Sequence, residues 1–177
     1  MQINCIKTTV PQAGCISQQD LLILFGPADA SAIQFRLGRR VVAIVYRVGN
    51  DLDLDQVIDL YRESTLGERR PVDDRTRMAA MLRNANLVVT AWDKDLLVGI
   101  SRSLTDFAYV TYLSDLAVRL SHQRMGIGRE LMRVTHRESG EAYIVLLAAP
   151  KAVDYYPHVG FTRHPSAWIL RQGERVI

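Results

Sequence analysis

The sequence predicts a single mixed α/β sheet carrying helices on both faces, and three observations predict it. Apolar runs of strand length alternate with stretches of helical period in the order β-α-α-β-β-β-α-β-α-β-β. Neither a linker nor an internal repeat divides them. A glycine-bearing loop, Gln123 to Gly128, separates one strand-like run from an amphipathic helix. With 177 residues and 48% hydrophobic content, the chain has material for one sizeable core.

Met1 to Arg40 hold scattered Gly and Pro, a short apolar run at Leu21 to Phe25 and no sustained period. They read as an N-terminal extension (1–40) of unassigned structure that adds a strand or packs on a partner subunit. The domain proper is expected over 41–177. Val41 to Arg47 is β-rich and reads as its first strand. Asp53-x-x-Gln56 has the form of a capping box, and Leu54, Val57, Ile58 and Tyr61 then follow at helical spacing. Gly67 to Arg70 is a polar break. Pro71 is placed in the first turn of a second helix running to Ala85, with Asp73 and Asp74 near its start and Met78, Met81 and Leu82 as its buried stripe.

Leu87 to Trp92 and Leu96 to Leu104 are strand-like and are joined by Asp93-Lys94-Asp95, a tight-turn signal. Ala108 to Val118 follows as the central strand. Tyr143 to Ala149 is a continuous apolar run suited to a buried strand. Pro150 to His158 reads as a short helix, and Val159-Gly160-Phe161 turns the chain into a further strand. Ser166 to Arg171 is strand-rich and is expected to expose a sheet edge.

The loop before the third helix has a definite physical consequence. A helix N-terminus presents backbone N–H groups without partners and a partial positive charge. Gly126 and Gly128 have no side chains to keep an anion away, while Ile127, Leu131 and Val134 supply the buried face. The spacing is not G-x-x-x-x-G-K-S/T, and no Lys follows Gly128, which argues against a nucleoside triphosphate loop. It is not G-x-G-x-x-G either, which argues against a dinucleotide site.

Gln123-Arg124-Met125-Gly126-Ile127-Gly128 resembles the Q/R-x-x-G-x-G/A motif of the GNAT superfamily, the acyl-CoA-dependent N-acetyltransferases. About 30 residues on, Tyr155-Tyr156-Pro157-His158-Val159-Gly160-Phe161 is similar to the family's F/Y-Y-x-x-x-G-F ending. The resemblance covers roughly Val41 to Arg171 and implies a GNAT-like fold. Such a fold has a mixed, mostly antiparallel sheet whose central strands splay to admit acetyl-CoA. It also implies that the amides of Gln123, Arg124, Met125, Gly126, Ile127 and Gly128 hold the pyrophosphate of coenzyme A. The Leu116-Ala117-Val118 backbone is expected to polarise the thioester carbonyl, with the pantetheine arm beside it like an added strand. Arg119, Arg124 and Arg129 are the arginines expected to contact phosphates, while Arg133 and Arg137 read as a solvated helix face. Pro150 departs from a frequent Asn and Leu120 from a frequent Pro, which touches loop geometry rather than reacting atoms.

Acetyl transfer to an amine needs a neutral amine, stabilisation of the negative oxygen that develops, and a proton for the departing thiolate. Tyr156 matches the family's catalytic tyrosine, whose phenol stays protonated at neutral pH and acts as general acid. Tyr155 matches a packing aromatic. Asp115 is the candidate base, because alternation turns it away from the face of Leu116 and Val118 and its apolar flank desolvates it. Two alternatives stay open: a structural Asp115, and a water chain in place of any protein base. Ser114, Tyr109 and Tyr112 are further candidates for the lining.

The acceptor is expected to meet Ser64 to Val72, where Glu68 favours a cation and Arg69 and Arg70 favour an acid. Leu82-Arg83-Asn84 and Asp115 to Val118 resemble the plant-type serotonin N-acetyltransferase-like branch. That implies a small arylalkylamine or polyamine, while a protein amine stays open as the other acceptor. The alternative function is a catalytically silent acyl-CoA-binding sensor, against which the presence of Tyr156 counts.

A net charge of +3 is mild, so no nucleic-acid partner is expected. Cys5 and Cys15 form no C-x-x-C pair. The histidines (His122, His136, His158 and His164) are scattered, so neither a metal site nor a disulfide framework is expected. Leu21 to Phe25 is too short to cross a bilayer, and the chain reads as cytoplasmic. A homodimer is expected through the Ser166 to Arg171 edge or the N-terminal extension.

Overall fold

The computed structural model describes residues 23–25, 30–37 and 40–176, with side chains from residue 43 onward except Lys151. Cys5, Cys15 and most of the expected extension lie outside the described residues. One sheet contains β1 (Ile23–Phe25), β2 (Ala30–Leu37), β3 (Arg40–Val48), β4 (Leu87–Asp93), β5 (Leu96–Thr105), β6 (Val110–Val118) and β7 (Tyr143–Val145). Their order in space is their order in sequence. Neighbours are antiparallel except β7, which runs parallel to β6. Residues 23–25 and 30–37 thus continue the sheet outward from the Val41 to Arg47 run.

Both faces are covered. On one, Val57 and Tyr61 of α1 (Leu54–Arg62) and Met78 and Leu82 of α2 (Arg75–Arg83) pack on Val88, Trp92, Leu97 and Ile100. On the other, Ile127, Leu131 and Val134 of α3 (Ile127–Glu138) pack on Ile44, Tyr46, Val89, Ala91 and Val98. Strands β4 and β5 are buried on both sides, which is why their sequences are nearly continuously apolar. Fully burying a side chain such as Leu131 contributes about 1.5–3 kcal/mol. The helix packs tightly on the sheet at Gly99. A Cβ there would lie 3.0 Å from Leu131 Cδ1 and 3.2 Å from Ile127 Cγ2.

Asp53 caps α1, accepting from the backbone N–H groups of Asp55 at 2.7 Å and Gln56 at 3.1 Å. The second helix begins later than Pro71. A 3₁₀ turn occupies Gly67–Arg69, and Asp74 is the cap, accepting from the Arg77 N–H at 2.9 Å. A proline suits a first turn, but the nearest carboxylate able to satisfy the free amides sets the start.

The C-terminal third differs most from expectation. Strand β7 has only three residues, and Leu146 to Ala149 carry no regular structure. Two 3₁₀ turns, Pro150–Tyr155 and Pro157–Val159, stand where a short helix was expected. No strand forms over residues 161–176, so the expected edge at Ser166 to Arg171 is absent and Trp168 is 94% exposed. Apolar and β-branched composition supplies propensity, but a strand also needs a neighbouring backbone to pair with.

Candidate active site

Strands β6 and β7 pair only where Val110 to Tyr112 face Tyr143 to Val145. Directly beyond, Asp115 opposes Arg102 and Leu113 opposes Ser103, leaving Ser114 as an extra residue on β6. Such a bulge bends and twists its strand. Here β6 parts from β7, and this is the location of the expected splay. The gap is a cleft of about 780 Å³, walled by Leu113, Ser114, Leu116, Ala117 and Val118 on one side and Leu146, Leu147 and Ala149 on the other.

The loop into α3 closes one end. Gly126 caps the helix at φ 77° with no side-chain hydrogen bond, so the first N–H groups of α3 have no side-chain acceptor. A Cβ at Gly128 would meet only Tyr155 Oη at 3.7 Å and Val118 Cγ2 at 3.8 Å. Gln123 donates through Nε2 to the Val118 carbonyl at 3.1 Å and ties the loop to the strand end. Gln123, Arg124, Gly126, Ile127, Gly128 and Arg129 line the cleft. Met125 instead packs on the core beneath α3.

Arg119 departs from its expected phosphate contact. It is buried, donates Nε to the Leu97 carbonyl at 2.8 Å and pairs with Asp59. Its charge is already committed to holding the loop against the sheet and α1. Arg133 pairs with Glu130 and Arg137 with Glu138 on the outer surface of α3.

The two tyrosines of the C-terminal motif both line the cleft, ring to ring at 5.7 Å and 66°. Gly160 adopts φ 94°, and the Phe161 N–H returns to the Tyr156 carbonyl at 3.1 Å. This turn sets the Phe161 ring 5.6 Å from Tyr156 and explains the Gly-Phe pair. Burial, and then Tyr155, raise the Tyr156 pKa, while Arg69 draws it down. Tyr155 is not a packing aromatic of the core. It is 38% exposed, with its hydroxyl toward Gly128, and burial raises its pKa against the pull of Arg129. Tyr155 therefore faces the α3 end and Tyr156 the Arg69 end.

Asp115 is absent from the cleft lining, and the structure does not place it as a base with a free oxygen. It is 1% exposed and accepts from Arg70 Nε at 2.6 Å, Arg102 Nε at 2.5 Å and the Tyr61 hydroxyl at 2.8 Å. The sequence reading missed this cluster. Its one signal was Arg102, a charge inside the apolar run Leu96 to Leu104. Ser114 lines the cleft as anticipated. Tyr109 and Tyr112 do not, and Tyr109 stacks edge-on against Tyr143 at 5.1 Å on the surface. Ser64, Thr65, Leu66, Arg69, Arg70, His122 and Ala152 also line the cleft, with Glu68 outside it. Among the described residues, no three His, Cys, Asp or Glu side chains gather as metal ligands, and no helix is long and apolar enough to cross a membrane.

A family model for the acetyltransferase (GNAT) domain matches residues 64–176, more than half of the chain, which therefore belongs to the GNAT acetyltransferase family. An uncharacterized N-acetyltransferase (ycf52-like) of Prochlorococcus marinus is 29% identical over 121 residues, 64% of this chain and 63% of that one. A probable acetyltransferase, TAP2, of Glycine max is 27% identical over 69% of this chain and 53% of its own length. The chain thus spans between half and two thirds of these relatives. Among solved structures, a GNAT family protein of Streptococcus pneumoniae superposes with a TM-score of 0.59 at 26% identity, covering 73% of this chain and 99% of that one. The aminoglycoside N-acetyltransferase AAC(6')-Iy, in complex with CoA, shares the fold with a TM-score of 0.60 at 16% identity over 77% of this chain and 99% of its own.

Proposed function

We propose that this protein transfers the acetyl group of acetyl-CoA to a primary amine, on a small molecule or a protein. One observation carries the reading: a single cleft runs from the uncapped, glycine-flanked N-terminus of α3 to Tyr156 along an unpaired strand edge. The residues fit coenzyme A. The first amides of α3 and the side chains of Arg124 and Arg129 would hold the phosphates. Leu116 to Val118 offer a strand edge to the pantetheine arm. Bound there, the thioester supplies the acetyl group.

The amine nitrogen forms the new C–N bond, the C–S bond breaks, and its electron pair leaves on sulfur. Tyr156, kept protonated by its half-buried setting, holds the proton that sulfur takes up. The second proton, released by the attacking nitrogen as the amide forms, restores the phenol. Asp115 is assigned a positioning role, since three donors occupy its oxygens, and the ammonium proton leaves to water. Ser64 to Arg70 form the acceptor end. A homodimer is the proposed assembly, now through the exposed apolar Trp168, Ile169 and Leu170 rather than a strand edge.

Titration with acetyl-CoA, followed by release of free thiol across a panel of amines, tests the reading. Binding with amine-dependent thiol release is expected. Tight binding with no turnover of any amine would instead establish an acyl-CoA sensor.

A further inference from the structure

We infer that the acceptor amine carries a carboxylate of its own, and that Arg69 binds it beside the fixed positive charge of Arg70. The inference rests on the acetyl-transfer reading and narrows its substrate. Every Arg, Lys, Asp or Glu lining the cleft, among the described residues, is an arginine: Arg69, Arg70, Arg124 and Arg129. Arg124 and Arg129 stand at the α3 end, where the phosphates of coenzyme A would neutralise them. Arg70 stands elsewhere, with Nη2 donating to the Ser114 carbonyl at 2.8 Å. Ser114 sits at the bulge and Val118 at the far end of the strand. Arg69 and Arg70 thus form a second positive group on the cleft wall, and its charge calls for an anion.

Asp115 does not supply it. Its single charge is shared between Arg70 and Arg102, which leaves the floor of the cleft with a net +1. Arg69 is exposed, has no ion-pair partner among the described residues, and lines the same cleft as Tyr156. Glu68 is exposed and outside the lining.

A polyamine would bring positive charge to this end and be repelled. A carboxylate a few bonds from the nitrogen would meet the planar guanidinium fork of Arg69, which suits it bidentately. Arg70, already donating to Asp115 and to the Arg69 and Ser114 carbonyls, adds charge. The same positive surroundings favour the neutral form of the neighbouring amine, the form that attacks. Small amino acids and similar carboxylate-bearing amines are the class this charge pattern selects.

Matched pairs test this: lysine against cadaverine, tyrosine against tyramine, histidine against histamine. In each pair kcat/KM should favour the carboxylate partner by at least about tenfold. Arg69→Glu should collapse or reverse the ratio, mainly through KM, and Arg69→Lys, which keeps the charge but loses the fork, should retain only part of it. Equilibrium dialysis of lysine and cadaverine onto the protein saturated with coenzyme A reads the same preference without turnover. Equal or better use of the decarboxylated partners, or a ratio unmoved by Arg69→Glu, would overturn the inference while leaving acetyl transfer intact. Failure to bind acetyl-CoA at all would overturn the acetyl-transfer reading and remove the inference with it.

Discussion

Arg102 Nε lies 2.5 Å from Asp115 Oδ2, and the two residues are direct cross-strand partners on β5 and β6. Both are buried beside the bulge at Ser114. The same arginine donates through Nη2 to Ser114 Oγ at 2.8 Å, and Arg70 donates to the Ser114 carbonyl. The bulge that opens the cleft is thus held by side chains gathered around one carboxylate. Buried charge persists only when its hydrogen-bonding capacity is met, and this cluster meets it.

Asp115→Asn should therefore act on stability first. It leaves the buried Arg102 guanidinium and the partly buried one of Arg70 around a neutral group, with an expected cost of about 3 kcal/mol. Urea denaturation measures it. A full-stability variant that loses only kcat would restore Asp115 as the base.

Gly126→Val places a β-branched side chain at φ 77°, beside amides that would approach the phosphates. Acetyl-CoA affinity should fall at least tenfold, about 1.4 kcal/mol, in a folded protein. Calorimetric titration showing unchanged affinity would reject the cradle.

The two tyrosines should separate kinetically. Tyr156→Phe removes the hydroxyl proposed to protonate sulfur, so kcat should drop by about 10²-fold with little change in KM for acetyl-CoA. Tyr155→Phe removes a hydroxyl directed at Gly128, so KM for acetyl-CoA should rise while kcat holds. Steady-state kinetics with the effects exchanged would swap the assignments.

Tyr46 is buried, and its hydroxyl has no hydrogen-bond partner among the described residues. Burial, then Glu130, raise its pKa, with Arg133 opposing. A pKa raised on folding contributes stability that is complete below the unfolded value, near 10, and is lost as pH rises toward the folded one. Tyr61, raised by burial and then by Asp115, behaves alike. Tyr46→Phe should be neutral or stabilising by about 1 kcal/mol at neutral pH. It should also make the alkaline loss shallower. Urea midpoints at about pH 7 and about pH 11 supply both comparisons, and an unchanged alkaline slope would count against this account.

Light scattering should return twice the 20.0 kDa chain mass if Trp168, Ile169 and Leu170 are covered by a second copy. Trp168→Ser should shift the population toward monomer. A monomer mass over a wide concentration range would reject the dimer.

Local features were legible in the amino-acid order. The buried face of α3, the Asp53 cap, the Lys94 turn and the side of β6 toward which Asp115 points all follow from spacing of a few residues. The glycine motif and the Tyr-Gly-Phe ending were legible for the same reason, since each is a continuous stretch with its own geometry.

Tertiary structure alone decided which groups meet. Tyr61 reaches Asp115 across 54 positions, Arg70 across 45 and Arg119 reaches Asp59 across 60, and no periodicity encodes such encounters. Those contacts turned a candidate base into a buried counter-ion and a candidate phosphate ligand into a loop anchor. The apolar C-terminal run shows the same limit from the other side. Its composition suits a strand, but pairing depends on a neighbouring backbone that only the fold can bring alongside.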